Sequence, residues 1–464
     1  MVFSSLTFLF AYLPLVLLIY YISPIKWRNL VLFIVSLFFY GWGEPIYVLV
    51  MLFSILMNYI FGLWIHKFRK EKEKAKKCLT ICIILNLALL GFFKYWDFFA
   101  TNLQALGISF MPVLKLSLPI GISFYTFQAM SYPIDLYRGD TKVQNSAVKF
   151  GAYVTMFPQL IAGPIVRYRD VAEQLDHRKE SIDKFSQGVT RFMVGLSKKV
   201  LLANAAGQVY ESINALQASQ TSVVTAWIGI ACYTFQIYFD FSGYSDMAIG
   251  LGKMLGFEFL ENFNYPYISK SITEFWRRWH MSLSFWFRDY VYIPLGGNRK
   301  GFARQIMNIM IVWLLTGFWH GASWNFILWG VFYGIVLMFE KLFLLKKLDK
   351  APDWLTHVYT MVIVMIAWAL FAHTDLQEAL HYISMMFGNC ASFINGTTLF
   401  YLRNNLFLLI ACIVASTPIA KTRLNFFKHK KLHWLVPIAV GIMLFICTAF
   451  IVDGTYNPFL YFRF

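Results

Sequence analysis

The sequence predicts an all-α polytopic membrane protein with roughly ten to twelve membrane helices, together with re-entrant and interfacial helices, in a single membrane-embedded domain over residues 1–464. Two observations support this prediction. The 464 residues are 58% hydrophobic and only 14% charged, whereas about a quarter of the residues of soluble domains are charged. Several long stretches also contain no formal charge at all. Both features exclude a disordered chain and an ordinary soluble enzyme.

The apolar stretches have the length that a membrane span requires, which is about 20 helical residues for ~30 Å of hydrocarbon. The first stretch, 1–25, lacks the basic region of a cleavable signal peptide, so we expect it to be retained. The run 305–339 is long enough for two passes joined by a tight turn. The remaining stretches of about span length are, in order, 45–65, 78–93, 116–134, 212–239, 404–420 and 434–452.

Carboxylates interrupt the apolar stretches at Asp135, Asp240 and Asp246. Such groups occur at membrane depth only inside the protein or against a water-filled cavity. The sequence therefore predicts a polar interior, a feature that transporters share with membrane enzymes.

Basic residues outnumber acidic ones by 41 to 24, giving a net charge of +17. In so apolar a chain this excess indicates anionic membrane lipids as partners and not nucleic acid. The short basic loops predicted to be cytoplasmic are 66–77, 341–350 and 421–431.

The histidine His320 lies inside the charge-free run WLLTGFWHGASWNFILWG at 313–330. An imidazole at membrane depth is costly unless it is buried among partners or faces a cavity. The small residues at 321–323 leave room for a substrate beside it. The alternative is a core histidine bonded to a backbone carbonyl, and position alone does not separate the two.

A second histidine, His280, lies among tryptophans and cations. On a continuous helix Trp276 and His280 share a face, because residues four apart are neighbours. Together with Trp276, the residues Arg277, Arg278 and Arg288 form a candidate site for phosphates, since guanidinium groups match phosphate geometry. The alternative is that these cations anchor lipid headgroups.

Motifs of soluble enzymes are missing from the sequence: it has no P-loop, G-x-S-x-G, H-E-x-x-H or Rossmann fingerprint. The six cysteines form no C-x-x-C pair, and no Cys, His and Asp set has ligand spacing, so we expect no metal site.

In several segments the chain resembles the membrane-bound O-acyltransferases, and within them the bacterial alginate and polysaccharide O-acetyltransferase branch. The residues that carry the resemblance are 239–259 (FDFSGYSDMAIGLGKMLGFEF), 262–299, 313–330, the N-terminal MVFSSLTFLFAYLPL, 28–45, PQLIAGPIVRY at 158–168 and the terminal NPFLYFRF. The resemblance spans nearly the whole chain, with a core motif region at about 150–345.

The resemblance implies helices around a central funnel or tunnel in the bacterial cytoplasmic membrane. It implies transfer of an acyl group, acetyl in this branch, from acetyl-CoA as donor substrate, with no tightly bound cofactor. The phosphate site of Arg277, Arg278 and Arg288 beside Trp276 is then the expected donor-binding site. The acceptor is a hydroxyl of an exported polysaccharide or cell-wall polymer, reached through an extracytoplasmic SGNH-type acetyltransferase.

The resemblance also implies roles for individual residues. His320 corresponds to the family's buried histidine and is expected to act as general base, while His280 stabilises the oxyanion or orients the acceptor. Related systems carry an aromatic tail, which implies an acyl relay through Tyr461; the alternative is an interfacial aromatic anchor. Two functions of other classes remain open: a transporter or channel, and a non-catalytic scaffold for a secreted acetyltransferase.

Overall fold

The structure, a computed structural model, describes the whole chain except Ser109, Ala162, Ala218, 420–433, Thr455, Phe459 and 461–464. Within the described residues the regular structure is helical, and extended pairing is limited to one bridge between Ser222 and Ser392. The all-α prediction is confirmed.

The described α-helices are α1 Leu13–Ile22, α2 Arg28–Gly41, α3 Val48–Lys67, α4 Lys72–Ala105, α5 Ile122–Arg138, α6 Ala147–Thr155, α7 Phe157–Leu160, α8 Tyr168–His177, α9 Ile182–Ser197, α10 Asn204–Asn214, α11 Val223–Met254, α12 Ile272–Arg278, α13 Met281–Phe287, α14 Phe302–His320, α15 Trp324–Phe339, α16 Leu345–Leu348, α17 Asp353–Ala372, α18 Leu376–Met386, α19 Gly396–Ala415 and α20 Leu435–Asp453. They fall into two compact units. Unit 1 comprises Met1–Phe192 and Tyr244–Leu260, and unit 2 comprises Met193–Gly243 and Glu261–Phe464.

Seven helices in the described part of the chain are long and apolar enough to cross a membrane. They are Val48–Lys67, Lys72–Ala105, Phe302–His320, Trp324–Leu348, Asp353–Ala372, Gly396–Ala415 and Leu435–Asp453. The protein is therefore polytopic, as predicted. The seven are fewer than the ten to twelve helices expected. The stretch 1–25 forms only a shorter apolar helix, Phe8–Ile22, and 116–134 forms α5, whose 17 residues fall short of a full span. The helix α11, which contains most of 212–239, is not among the seven.

Unit 1 contains two of the three carboxylates that interrupt the apolar stretches, and both have cationic partners. Asp135, fully buried on α5, lies 3.8 Å from Arg169. Asp246 lies 2.6 Å from Arg191. Ion pairing lowers the cost of keeping a carboxylate away from water, so neither group requires a transport pathway to account for it.

Unit 2 contains α14 and α15, which form the two-pass hairpin that the run 305–339 predicts. The turn between them takes only residues 321–323. The two helices touch through glycine: a Cβ on Gly317 would lie 2.4 Å from the carbonyl oxygen of Phe326, and one on Gly330 would lie 2.4 Å from that of Trp313. This close approach fixes the end of α14, where His320 is the last residue.

Candidate active site

His280 stands at a break between two short helices of unit 2. α12 ends at Arg278, and His280 precedes α13 with a left-handed backbone, φ +45°. The expectation that Trp276 and His280 share one helix face is therefore wrong, because the chain changes direction between them. A non-glycine residue in this conformation costs about 1–3 kcal/mol, and such residues cluster at functional sites.

A buried amide orients the ring of His280. Nδ1 of His280 lies 3.1 Å from Oδ1 of Asn262, and the same oxygen accepts hydrogen bonds from the backbone N–H (3.2 Å) and the hydroxyl (2.9 Å) of Ser282. Because those partners donate, the Asn262 atom is a carbonyl oxygen, so Nδ1 of His280 must carry the proton that it shares. Nε2 is then left with a free lone pair.

The free nitrogen of His280 is buried and has no hydrogen-bond partner among the described residues. The side chain is 1% exposed and lies outside the seven candidate spans. Burial lowers the pKa of its imidazole from the ordinary 6.5 to about 3. The ring is therefore neutral at physiological pH, and Nε2 is available to accept a proton or a hydroxyl hydrogen bond.

His320 lies in an aromatic cage at the end of α14 and is 5% exposed. Three rings meet the imidazole nearly edge to face: Trp319 at 5.0 Å, Trp329 at 5.1 Å and Phe371 at 5.2 Å between centroids. The cage excludes water, which strengthens any electrostatic interaction formed inside it.

The two histidines flank the same tryptophan. The ring of Trp319 lies 6.2 Å from that of His280 and 5.0 Å from that of His320. On its other side His280 meets Phe241 of α11 edge to face at 4.7 Å. The structure therefore brings both predicted catalytic histidines to one aromatic region of unit 2.

A cavity of about 310 Å³ lies on α12 and α13 in unit 2. Its lining residues are Trp276, Arg277, Met281, Ser284, Phe285 and Arg288. Two are arginines and none is acidic, so the cavity favours an anion. Small-molecule sites begin at about 300 Å³, and the cavity is at that lower limit.

Edge-to-face ring contacts link the cavity wall to the His320 cage. Trp276 lies 5.6 Å from Trp329, and Trp329 lies 5.1 Å from His320. A ligand whose anionic end rests on Arg277 and Arg288 therefore has its remainder close to the rings that surround His320.

Arg278 does not line the cavity. Its guanidinium bonds to Glu274 (2.8 Å) and to the backbone carbonyl of Asn264 (3.0 Å), so these contacts fix its position. Its predicted role in donor binding stays a prediction.

The buried carboxylate of Glu340 holds the start of α12. It accepts hydrogen bonds from the backbone N–H groups of Ile272 (2.7 Å) and Thr273 (2.8 Å), and from the Thr273 hydroxyl (2.7 Å). These are groups that a helix start leaves without partners, and negative charge is favourable there. Glu340 thereby fixes the helix that carries Trp276 and Arg277.

Asp240, the third interrupting carboxylate, is paired in unit 2 with Lys199 at 2.8 Å. All three carboxylates on which the transporter alternative rested thus have cationic partners. Tyr461, the predicted relay residue, lies outside the described residues. In the described part of the chain no group of three or more His, Cys, Asp or Glu side chains is arranged to hold a metal ion.

Sequence reasoning missed Asn262, Glu340 and Lys199. The partner of Asn262 lies 18 positions away in the sequence, and the partners of Glu340 lie 67 and 68 positions away. No local sequence pattern predicts such distant partners. Lys199 precedes a long apolar stretch, where a lysine resembles an ordinary interfacial anchor.

A comparison with family models matches residues 139–374 to the membrane-bound O-acyltransferase family. The chain belongs to the membrane-bound O-acyltransferase family. It is 46% identical, over 83% of its length and 78% of the relative's, to the probable alginate O-acetylase AlgI of Azotobacter vinelandii. It is 32% identical to the peptidoglycan O-acetyltransferase of Helicobacter pylori over all of this chain and 98% of the relative. A more distant relative is the teichoic acid D-alanyltransferase of Bacillus subtilis, 26% identical over 70% of this chain and 86% of the relative.

This membrane-bound O-acyltransferase has its histidine pair, Asn262 and the arginine-lined cavity inside the matched residues. The resemblance drawn from the sequence is therefore confirmed for the family. The protein is an acyltransferase, and its membrane spans make it a multi-pass membrane enzyme.

Proposed function

We propose that this enzyme transfers acetyl groups from acetyl-CoA to hydroxyls of an exported polysaccharide, using His280 and His320. The names of its relatives support an acetyl group and a polymeric acceptor, because alginate and peptidoglycan are both hydroxyl-bearing glycans. One observation carries the proposal: a buried, neutral imidazole, His280, presents an unpartnered Nε2 in the aromatic region that also holds His320.

Acetyl-CoA fits the cavity on α12 and α13 by charge. Arg277 is exposed and makes no ion pair among the described residues. Arg288 is paired with Asp289 at 2.7 Å, but its side chain is still 54% exposed. Both guanidinium groups are thus accessible to the phosphates of coenzyme A. The thioester end would then extend past Trp276 toward the cage of His320.

The transfer needs a base and an oriented hydroxyl. His320 takes the proton of the attacking hydroxyl, the new C–O bond forms, and the C–S bond breaks. The coenzyme A thiolate leaves and accepts the proton. Of the two roles predicted for His280, its tautomer favours orientation of the acceptor, because a bare Nε2 accepts a hydroxyl hydrogen bond and does not donate one to an oxyanion.

The route to the outside involves two further proposed components. The first is Tyr461, whose phenol would take the acetyl group as an ester before passing it on. The second is an extracytoplasmic SGNH-type acetyltransferase that delivers the group to the polymer. These two components imply that the enzyme lies in the bacterial cytoplasmic membrane, between a cytosolic thioester and an exported glycan.

The test measures release of the coenzyme A thiol and transfer of [14C]acetyl by the purified full chain in lipid nanodiscs. We expect His320→Ala and His280→Ala to lose roughly 10²–10⁴-fold in turnover with normal folding, the range typical of general acid–base groups. The matched control is His373→Asn, since His373 is also a buried histidine of unit 2, packed on Tyr382 at 5.3 Å. Near wild-type turnover in both site variants would exclude the catalytic assignment, whereas no turnover by the purified wild-type chain would favour the scaffold.

The same purified chain, reconstituted into sealed vesicles instead of nanodiscs, separates the transporter alternative. A transporter moves substrate across a sealed vesicle without consuming thioester. Flux of acetyl-CoA or acetate without thiol release would replace the acyltransferase proposal.

Tyr461→Phe separates the relay from an anchor: it removes the hydroxyl, keeps the ring, and should abolish transfer to polymer while the histidine site stays intact.

A further inference from the structure

The C-terminal segment, described at 456–458 and Leu460, is held in unit 2 by a buried ion pair. Lys199 and Asp240 are 2.8 Å apart, and their side chains are 4% and 2% exposed. Each also bonds to the C-terminal segment. Nζ of Lys199 donates to the carbonyl of Pro458, and the backbone N–H of Leu460 donates to Oδ2 of Asp240 at 3.0 Å. Leu460 is itself 4% exposed.

A second set of polar contacts holds the two tail residues before Pro458, Tyr456 and Asn457. Nε2 of Gln236 lies 3.1 Å from the hydroxyl of Tyr456, and Nδ2 of Asn204 donates to the side-chain oxygen of Asn457 at 3.3 Å. Gly207 makes room for them, since a Cβ there would lie 2.4 Å from Gln236 and 2.8 Å from the Tyr456 hydroxyl. The described residues of the segment are thus bonded at four positions, which an unspecific surface anchor does not require.

The energetics make the ion pair and the tail depend on each other. Moving two charges out of water costs several kcal/mol per ion, and their attraction offsets this only when further hydrogen bonds satisfy the remaining donors and acceptors. Here the tail supplies those bonds, through the carbonyl of Pro458 and the N–H of Leu460. A buried pair of this kind is a poor way to gain stability, but it defines one position for the tail.

The helix that holds the tail also contacts the histidine site. Asp240 is followed on α11 by Phe241, whose ring meets His280 at 4.7 Å. Tyr238, half a turn earlier, lies 6.1 Å from Trp279, the neighbour of His280. One turn of α11 therefore contacts the tail through Asp240 and the histidine site through its neighbouring rings.

We infer that Lys199 and Asp240 are positioning residues whose buried pair clamps 456–458 and Leu460 in unit 2 and thereby positions the tail for acyl transfer at the histidine site. This rests on the proposed function only in its last step. The clamp itself concerns only where the tail is held and does not depend on the reaction. It is anchored up to Leu460, the residue before the proposed relay Tyr461.

The experiment compares two charge-removing double variants of the full-length chain. Lys199→Met/Asp240→Leu removes the clamp without leaving a lone buried charge. Arg191→Met/Asp246→Leu is the matched control, because it removes an ion pair of unit 1 whose acidic partner lies on the same helix. Carboxypeptidase trimming, followed by intact mass, reports how tightly the tail is held. Thiol release from [14C]acetyl-CoA gives kcat and donor KM.

We expect the clamp variant to be trimmed faster than wild type and to lose roughly tenfold to a hundredfold in kcat, the effect of a misplaced reacting group, with donor KM nearly unchanged. The control should match wild type in both measurements. Lys199→Arg, which keeps the cation, should retain most of the turnover. Equal trimming of the clamp variant and wild type would overturn the clamp, and unchanged kcat with faster trimming would overturn its positioning role.

Gly207→Val tests the same inference without touching a charge, in case the double variant does not fold. It places a branched side chain where Gln236 and Tyr456 meet, and it too should speed trimming and lower kcat. Wild-type behaviour in this variant would contradict the inference. If wild type releases no thiol while the trimming difference persists, the proposed function fails and the clamp stands.

Discussion

The orientation of His280 by Asn262 leads to a sharp prediction for the variant Asn262→Leu. Leucine is close to asparagine in size but has no hydrogen-bond acceptor. The variant removes the partner of His280 Nδ1 and of both donors from Ser282. The loop itself should persist, because the backbone carbonyl of residue 262 still accepts from the N–H of Met281 at 3.0 Å.

The magnitude follows from the tautomer. Without the amide oxygen, the ring of His280 can place its proton on either nitrogen and can rotate, so Nε2 is no longer fixed as the acceptor. Loss of the correct tautomer costs up to about 10⁴-fold where the histidine is itself the base. For an orienting histidine we expect a loss in kcat of about 10²–10³-fold, equivalent to roughly 2.7–4.1 kcal/mol of barrier. Donor KM should change little, because Asn262 does not line the cavity.

The assay is thiol release from acetyl-CoA over a range of donor concentrations, with folding monitored by thermal unfolding in detergent. Ser282→Ala is the matched control. It deletes one competing donor to the same oxygen and leaves the bond from His280, so its loss should stay within about fivefold. Asn262→Asp retains an acceptor oxygen and should recover part of the activity. If folded Asn262→Leu turns over within about threefold of wild type, the tautomer argument is refuted.

Four other outcomes are expected. Arg277→Gln should raise the donor KM several-fold with kcat unchanged. Arg278→Gln should raise the donor KM less, because the contacts of Arg278 hold it outside the cavity lining. Equal effects of the two variants on KM would contradict the cavity as donor site. Glu340→Ala should lower the free energy of unfolding by at least about 1–3 kcal/mol, since it leaves buried donors of α12 unsatisfied, and a thermal scan that matches wild type would exclude this role. Gly317→Ala should lower the free energy of unfolding of the protein by about 1–3 kcal/mol, because the added Cβ meets a backbone carbonyl that cannot move aside. Thermal unfolding would show this decrease. The pKa of His280 is lowered in the folded state to about 3, so between about pH 6.5 and pH 3 only the unfolded chain binds this proton. The free energy of unfolding should therefore decrease as the pH is lowered below about 6.5. In His280→Gln this decrease should be smaller between pH 7 and 5, as thermal unfolding would show.

Much of the fold could be predicted from the sequence, because membrane spans follow from apolar length alone. The two passes of 305–339 with their short turn are an example. The number of full spans could not be predicted as well. α5 is one example: it has only 17 residues and ends at Arg138, where the next residue, Gly139, takes a left-handed backbone with φ +82°.

The candidate site was predictable in its residue types but not in its geometry. His320 and His280 stood out because imidazoles are rare among apolar residues, and the resemblance gave them roles. The break at His280 was invisible, since nothing in WRRWHMS demands a left-handed residue. Asn262 was equally hidden, because its importance arises only when the chain folds back to bring its amide against Nδ1.

The break at His280 also explains how one short segment serves two purposes. On a continuous helix Trp276 and His280 would share a face, and a donor bound at Trp276 would cover the imidazole. With the backbone reversed at His280, Trp276 turns to the cavity and to Trp329, while His280 turns to Asn262 and Phe241. The strain at one residue, about 1–3 kcal/mol, is thus the local cost of separating the proposed donor cavity from the histidine proposed to orient the acceptor. His280→Gly would relieve that strain but would also remove the buried ring and its bond to Asn262. We therefore expect an inactive variant in the thiol-release assay, and turnover near wild type would contradict the role of the imidazole.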